Sequence, residues 1–308
     1  MTTYLVTGAN GFIANRLCTH LLNQGIAVIG TVRDASRSVP KGVQPKVTGS
    51  ICATTDWSSA LTGVDVVYHL ASTVHRLDIQ DAAIYQTTIT AATATLAEQA
   101  AAAGVKRLVL LSTASVYGET STNSLTEDAQ KQPVTLYGKT KLQAEMELQA
   151  IAQQTALETV IVRAPMVYGK DAPGNFNALV RLVQKIPLLP FGLALEKRSF
   201  IGIDNLLDFL LLCARSPAAA NKVFNVADDD DMNLKDLCMM IALILHKKCL
   251  LLPVPPALMQ VGLTAIGKAS MYNKLFESLR LDVTRAKAVL AWKPAHTLHE
   301  QLIKALQL

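Results

Sequence analysis

The stretch "TYLVTGANGFIA", residues 3 to 14, joins a short apolar run to a turn holding Gly8 and Gly11, with small Ala14 three residues further on. An amphipathic pattern then runs from Phe12 to about Gln24. The spacing predicts a strand, a tight turn and a helix. Small residues at these three places allow the turn itself, close backbone approach to a pyrophosphate, and close packing of helix on strand. The helix then directs the free N–H groups of its first turn at the phosphates. A tight turn alone does not need three small positions, so dinucleotide binding is expected, with Gly8, Gly11, Phe12 and Ile13 as its contacts. The next apolar run, "IAVIGTV", ends in Arg33 and Asp34. An acidic residue at the strand tip would hold the ribose diol of NAD, whereas an arginine can receive the extra phosphate of NADP. NADP(H) is therefore expected over NAD(H).

Working outward, strand-length runs alternate with helical patterns: "VDVVYHLA", an alanine-rich stretch from 81 to 103, "KRLVLLS", a helix from about 134 to 155, and "ETVIVRA". Such alternation implies right-handed βαβ crossovers and a parallel sheet covered on both faces. The fold class is α/β, a Rossmann-type doubly wound parallel sheet with a smaller mixed C-terminal substrate lobe. Residues 1–165, with returning segments at about 198–226, are expected to form the nucleotide-binding domain. Residues 166–197 and 227–308 are expected to form the smaller lobe over the strand ends, where open sheets bind ligands. The run "DDDD" at 228–231 reads as a solvated turn before a helix.

With 308 residues, half of them apolar and 17% charged, the chain has a globular composition. The net charge of +5 favours anionic small ligands and gives no case for nucleic acid. Cysteines 18, 52, 213, 238 and 249 form no CxxC pair, and no metal site or disulfide framework is indicated. No signal peptide is visible, and apolar runs such as "MMIALIL" (239–245) are too short to span a bilayer. A cytoplasmic protein with no membrane partner is expected.

"YGKTK" (137–141) sets Tyr137 and Lys141 at i and i+4, one face of a helix, from which both can reach one bound molecule. Alone, the pair is common on helix surfaces. With "TGANGFIA", "GVDVVYHLAS" (63–72), "GVKRLVLLSTASVYGE" (104–119), "VIVRAPMVYG" (160–169), "RSFIGIDNLLD" (198–208) and "AKAVLAWKPAHTLHEQL" (286–302) in order, the chain resembles the extended short-chain dehydrogenase/reductases of the nucleotide-sugar epimerase/dehydratase group. The resemblance implies that Tyr137 is the catalytic acid/base, that Lys141 favours its ionised form and binds the nicotinamide ribose, and that Thr113 hydrogen-bonds the reacting oxygen. It also places Leu70, Ala71, Pro165 and Val167 at the cofactor. A UDP-sugar substrate is implied, with Asn175 and Arg198 at its diphosphate and Pro190 and Phe191 at its uracil.

Some positions depart from that pattern. Ser50 stands where many relatives carry an aspartate beside adenine, and the asparagine usual before the alanine-rich helix is absent from "YQTTITAAT" (85–93). No Asp-Glu pair follows Thr113, which argues against a 4,6-dehydratase. Two reactions at C4 of a UDP-hexose remain. A 4-ketoreductase of UDP-4-keto-6-deoxy-N-acetylhexosamine type, serving surface-polysaccharide precursor synthesis, suits NADP-type recognition at Arg33. The alternative is a UDP-glucose or UDP-N-acetylglucosamine 4-epimerase, and a remote one is a non-catalytic NADP-sensing Rossmann protein. The resemblance further implies a homodimer, built on the 89–103 stretch and the helix bearing Tyr137.

Overall fold

A computed structural model describes residues 2–72, 82–265, 267 and 269–306. The first half holds the expected strands and helices together with β3 and α2, which the sequence reading did not contain: β1 (Thr3–Val6), α1 (Phe12–Asn23), β2 (Ala27–Val32), β3 (Gln44–Val47), α2 (Ser58–Leu61), β4 (Val66–His69), α3 (Ala82–Tyr85), α4 (Ala92–Ala102), β5 (Arg107–Thr113), α5 (Leu136–Gln154) and β6 (Glu158–Ala164). Then come β7 (Met166–Tyr168), α6 (Asn175–Lys185), β8 (Leu188–Leu189), β9 (Lys197–Arg198), β10 (Phe200–Gly202), α7 (Ile203–Arg215) and β11 (Lys222–Asn225). The chain closes with β12 (Met232–Asn233), α8 (Leu234–Ile244), β13 (Leu250–Leu251), α9 (Pro256–Ala265), α10 (Ala269–Phe276), α11 (Thr284–Leu290) and α12 (Leu298–Leu306).

Seven strands form one parallel sheet in the order β11-β6-β5-β4-β1-β2-β3. Sequence order reverses between β1 and β4, and such a switch opens a crevice at the carboxyl ends of the strands. β4 (VVYH) is buried at every position, as a strand covered on both faces requires. One face of the sheet packs under α1 and α7 and takes in Ala286, Leu290 and Trp292 from the α11 region; the other packs under α4 and α5. A separate core, built on α6, α8, α12 and the aromatic residues Tyr168, Phe176, Phe191 and Phe276, fills the smaller lobe.

Two local features differ from the sequence reading. Residues 86–91, between α3 and α4, form a π-helical stretch rather than a regular α-helix. Thr90 there donates to the Thr140 carbonyl at 3.0 Å, tying this stretch to the helix of Tyr137. The aspartate run is not a solvated turn throughout. Asp228 is buried and accepts from Gly202 N, Asn205 Nδ2 and the Tyr168 hydroxyl, because it closes the junction between β10 and α7.

Candidate active site

Gly8 adopts φ +67°, and a Cβ there would stand 3.2 Å from the Cα of Ala71, so the turn and the loop after β4 touch backbone to backbone. Gly11 caps α1 with no side-chain hydrogen bond to its first-turn amides. Those donors, at Phe12 and Ile13, are free for an anion. Thr7 fastens the two loops: its hydroxyl accepts from Leu70 N at 3.1 Å and Ala71 N at 3.0 Å. Its proton then goes to His69 Nδ1 at 3.0 Å, which leaves the imidazole hydrogen on Nε2, facing Thr93 Oγ1 at 3.1 Å. Burial, with the Lys141 charge adding to it, lowers His69 to about 3, so the ring is neutral in this tautomer.

At the β2 tip Arg33 is exposed. Asp34 accepts from Ser36 N and Ser36 Oγ and pairs with Arg37 at 3.6 Å. The Ser36 hydroxyl, foremost among these, holds its carboxyl below the usual range.

Tyr137 and Lys141 lie in the first turns of α5. Thr135 caps this helix by accepting from Gly138 N at 3.0 Å, and Gly138 lets it close on the turn after β5, where a Cβ would sit 2.6 Å from the Ser115 carbonyl. Lys141 is 2% exposed and donates to the Leu111 carbonyl of β5 at 2.8 Å. Thr113, two residues along the same strand, is half-buried and accepts from Ser115 N at 3.2 Å. The phenol-bearing ring packs on Tyr85, Ile89 and Ala144. Burial pushes the Tyr137 phenol up to about 12, with nearby Ser72 opposing the shift, and brings Lys141 down to about 8. The Ser72 hydroxyl is buried and makes no hydrogen bond of good geometry among the described residues. Free first-turn amides, a glycine cradle and a buried hydroxyl at Ser72 beside the phenol fit a bound dinucleotide. Pro165 and Val167, half-buried at the β6–β7 junction, lie at the strand ends on the far side of β5.

Behind Lys141 lies a buried network that sequence reasoning missed. Glu145, one turn further along α5, receives Arg163 of β6 through Nη2 at 2.6 Å and a hydrogen bond from Ser112. Arg163 also donates to the Tyr117 hydroxyl at 2.7 Å, and Tyr117 donates to Asn225 Oδ1 at 2.8 Å. The i, i+4 rule that joins Tyr137 to Lys141 reaches Glu145 if carried one step further.

The smaller lobe spreads its candidates. Asn175 is exposed at the start of α6, whereas Phe191 is 6% exposed and packs edge-on against Phe276 at 6.2 Å. Pro190 beside it is half-buried. Arg198 turns inward: its Nη1 donates to the carbonyls of Asn273 at 3.1 Å and Glu277 at 2.7 Å, and burial lowers it to about 10. A cleft of about 610 Å³ opens alongside, lined by Ser121, Thr122, Leu195, Lys197 and Arg280 among others. Lys197 and Arg280 are cations that the sequence reading had not singled out. The Arg280 main chain is zipped to the opposite wall by Leu125 N at 2.8 Å and Ser121 Oγ at 3.1 Å.

Comparison with known proteins gives a consistent picture. The sequence model of the "NAD dependent epimerase/dehydratase family" matches residues 4–227. A UDP-glucose 4-epimerase of Vibrio cholerae is 36% identical over 304 residues, covering 96% of this chain and 92% of that protein. An N-acetyl-alpha-D-glucosaminyl-diphospho-ditrans,octacis-undecaprenol 4-epimerase of Escherichia coli O157:H7 is 26% identical, covering 84% of this chain and 77% of that protein. Among solved structures, MoeE5 in complex with UDP-glucuronic acid and NAD superposes with a TM-score of 0.81 at 25% identity, covering 99% of this chain and 97% of the other.

Proposed function

The chain belongs to the NAD dependent epimerase/dehydratase family, and from that premise we propose that it is a 4-epimerase of a hexose carried on a diphosphate, UDP-hexose first among the candidates. The observation that supports the reading is the hydrogen bond from Lys141 to the Leu111 carbonyl, which ties α5, the helix of Tyr137 and Lys141, to β5, the strand that ends in Thr113. Tyr137 takes the proton of the C4 hydroxyl and returns it to the C4 oxygen after the ketone has turned over. Lys141 supplies the positive charge that favours the ionised phenol, and Thr113 offers a hydrogen bond to the same oxygen. The nicotinamide dinucleotide, when bound, accepts hydride from C4 and gives it back to the opposite face.

Lys197 and Arg280 are the cations we assign to the diphosphate, because both line the cleft, whereas Arg198 donates to the carbonyls of Asn273 and Glu277. Arg280 Nη2 itself donates to the Thr122 carbonyl on the cleft wall at 3.2 Å. Asn175, Pro190 and Phe191 remain proposed substrate contacts on resemblance, Phe191 through the wall it builds and not through a free ring. A homodimer through α4 and α5 belongs to the same reading, and light scattering tests it.

One observation favours a second reading, an NADPH-dependent 4-ketoreductase. Arg33 is exposed at the β2 tip while Asp34 is engaged by its neighbours, an arrangement suited to the extra phosphate of NADP. Denaturing the purified protein and identifying the released nucleotide separates the two. Retained NAD with interconversion of UDP-glucose and UDP-galactose, or of their N-acetylated forms, supports the epimerase. Failure to interconvert any of them, together with consumption of NADPH by a 4-keto-sugar nucleotide, replaces it with the reductase.

A further inference from the structure

A helix at a protein surface ordinarily carries charge on its outer face. α9 does the opposite. Met259 and Leu263 pack on the core of the smaller lobe, while Leu258 and Val261 on the other side are 64% and 68% exposed, and the helix contains no charged residue. The exposed apolar surface continues beyond it. Leu188 of β8 pairs with Leu250 of β13, and both point outward at 47% and 63% exposure. On α8, Met239 and Leu243 are exposed one turn apart, and exposed Lys247 follows the turn that ends the helix, where His246 has φ +51°. The carbonyl of half-exposed Leu252 accepts from Gly192 N at 2.9 Å, and this links the surface to exposed Leu193 and to Leu195 on the rim of the cleft.

Charge follows the same boundary. From Leu237 to Phe276 the sequence contains no aspartate or glutamate but four lysines, at 247, 248, 268 and 274. Lys247 and Lys248 are exposed beside Leu250, and exposed Lys185 ends α6 just before Leu188. Residues 249–267 between the lysines carry no charge at all. Lys185, Lys247 and Lys248 stand on one side of this apolar area, while exposed Asp236, one turn before Met239, and exposed Glu196, beside Leu195, lie at its other edges. The lysine side matches a layer of anionic headgroups over hydrocarbon, into which lysine stems can extend while their ammonium groups remain in water. A two-fold contact with a second copy would instead bring lysines towards lysines.

We propose that this face of the smaller lobe docks on the surface of an anionic lipid bilayer, with the mouth of the cleft beside it. No helix among the described residues is long and apolar enough to cross a membrane, so the attachment is peripheral. The inference does not depend on which carrier holds the sugar. Flotation of the full-length protein with vesicles of phosphatidylcholine, alone or mixed with phosphatidylglycerol, tests it. The protein is expected to float with the mixed vesicles and to be released by high salt. Leu258→Asp should weaken partitioning at least roughly tenfold, the change expected for losing one buried leucine, and the pair Lys247→Glu and Lys248→Glu should abolish the preference for the anionic lipid. Both variants should keep the wild-type thermal unfolding midpoint and cofactor binding. Absence of flotation with mixed vesicles, or flotation indifferent to Leu258→Asp, would overturn the proposal. So would a lipid-free dimer that Leu258→Asp converts to monomer, since the face would then belong to a second copy.

Discussion

Tyr137 sits where burial, opposed in part by Ser72, carries its phenol to about 12, a value at which it is a poor base near neutrality. Lys141, one turn further along α5, is brought down to about 8 by burial, and its charge declines as pH passes 8. Tyr137→Phe is expected to abolish turnover while leaving dinucleotide binding intact, read by steady-state assay beside a fluorescence titration of the cofactor. Unchanged turnover would remove the phenol from the mechanism. Lys141→Met should move the rising limb of the pH–rate profile to higher pH, because the ionised phenol loses a cation one helical turn away. His69 makes a separate prediction. Its imidazole is lowered from an ordinary 6.5 to about 3, so below pH 6.5 the unfolded chain binds a proton that the folded chain does not. Stability therefore falls as pH drops from 6.5 towards 3, at up to about 1.4 kcal/mol per pH unit from this group. Urea unfolding at a series of pH values should show this slope reduced in His69→Gln.

The α5 helix is the element that turns spacing into chemistry. Its near end closes on the turn after β5 through Gly138, and its middle is bolted to β6 through Glu145 and Arg163. Gly138→Ala must displace the helix start or the Ser115 carbonyl, so activity should fall by far more than stability; equal kcat/KM in the two proteins would show that the contact is slack. Glu145→Gln leaves the Arg163 charge buried without its partner and is expected to cost about 3–5 kcal/mol, seen as a lowered thermal midpoint. Tyr137 and Lys141 were legible because helical periodicity is local. The partners of Glu145 were not, since Arg163 and Ser112 meet it only after β5 and β6 have paired, and Tyr117 joins the network only through Arg163. The π-helical stretch at 86–91 likewise has no signal in an alanine- and threonine-rich run, as it depends on packing against α5.

For the whole molecule, the nucleotide half was readable because β1, β2, β4, β5 and β6 are apolar runs separated by helical patterns; the edge strand β3 (QPKV) is polar and exposed, and neither it nor β11 was picked out as a strand. The lobe was not readable, because its strands are two or three residues long and are defined by partners far away in sequence, such as Leu188 with Leu250. Arg198 shows the same limit: "RSF" identified a cation near the cleft, but only the fold tells that its guanidinium faces carbonyls while Lys197 and Arg280 line the opening. Asp228 was read as solvent-facing from its neighbours in sequence, and three donors from β10, α7 and β7 take it inside.

The bare start of α1 makes the nucleotide a structural part as well as a reagent. Without a side-chain acceptor at Gly11, the amides of the first turn have only water to bond until phosphate oxygens arrive. The emptied protein should therefore exchange the amide hydrogens of residues 12 to 14 much faster than the loaded one, with smaller changes in β5 and β6. Equal exchange in the two states would mean that the turn is rigid by itself. If the difference is found, vulnerability to proteases at that turn becomes a measure of how fully the protein is loaded with its dinucleotide, and its lifetime in the presence of proteases would follow cofactor supply.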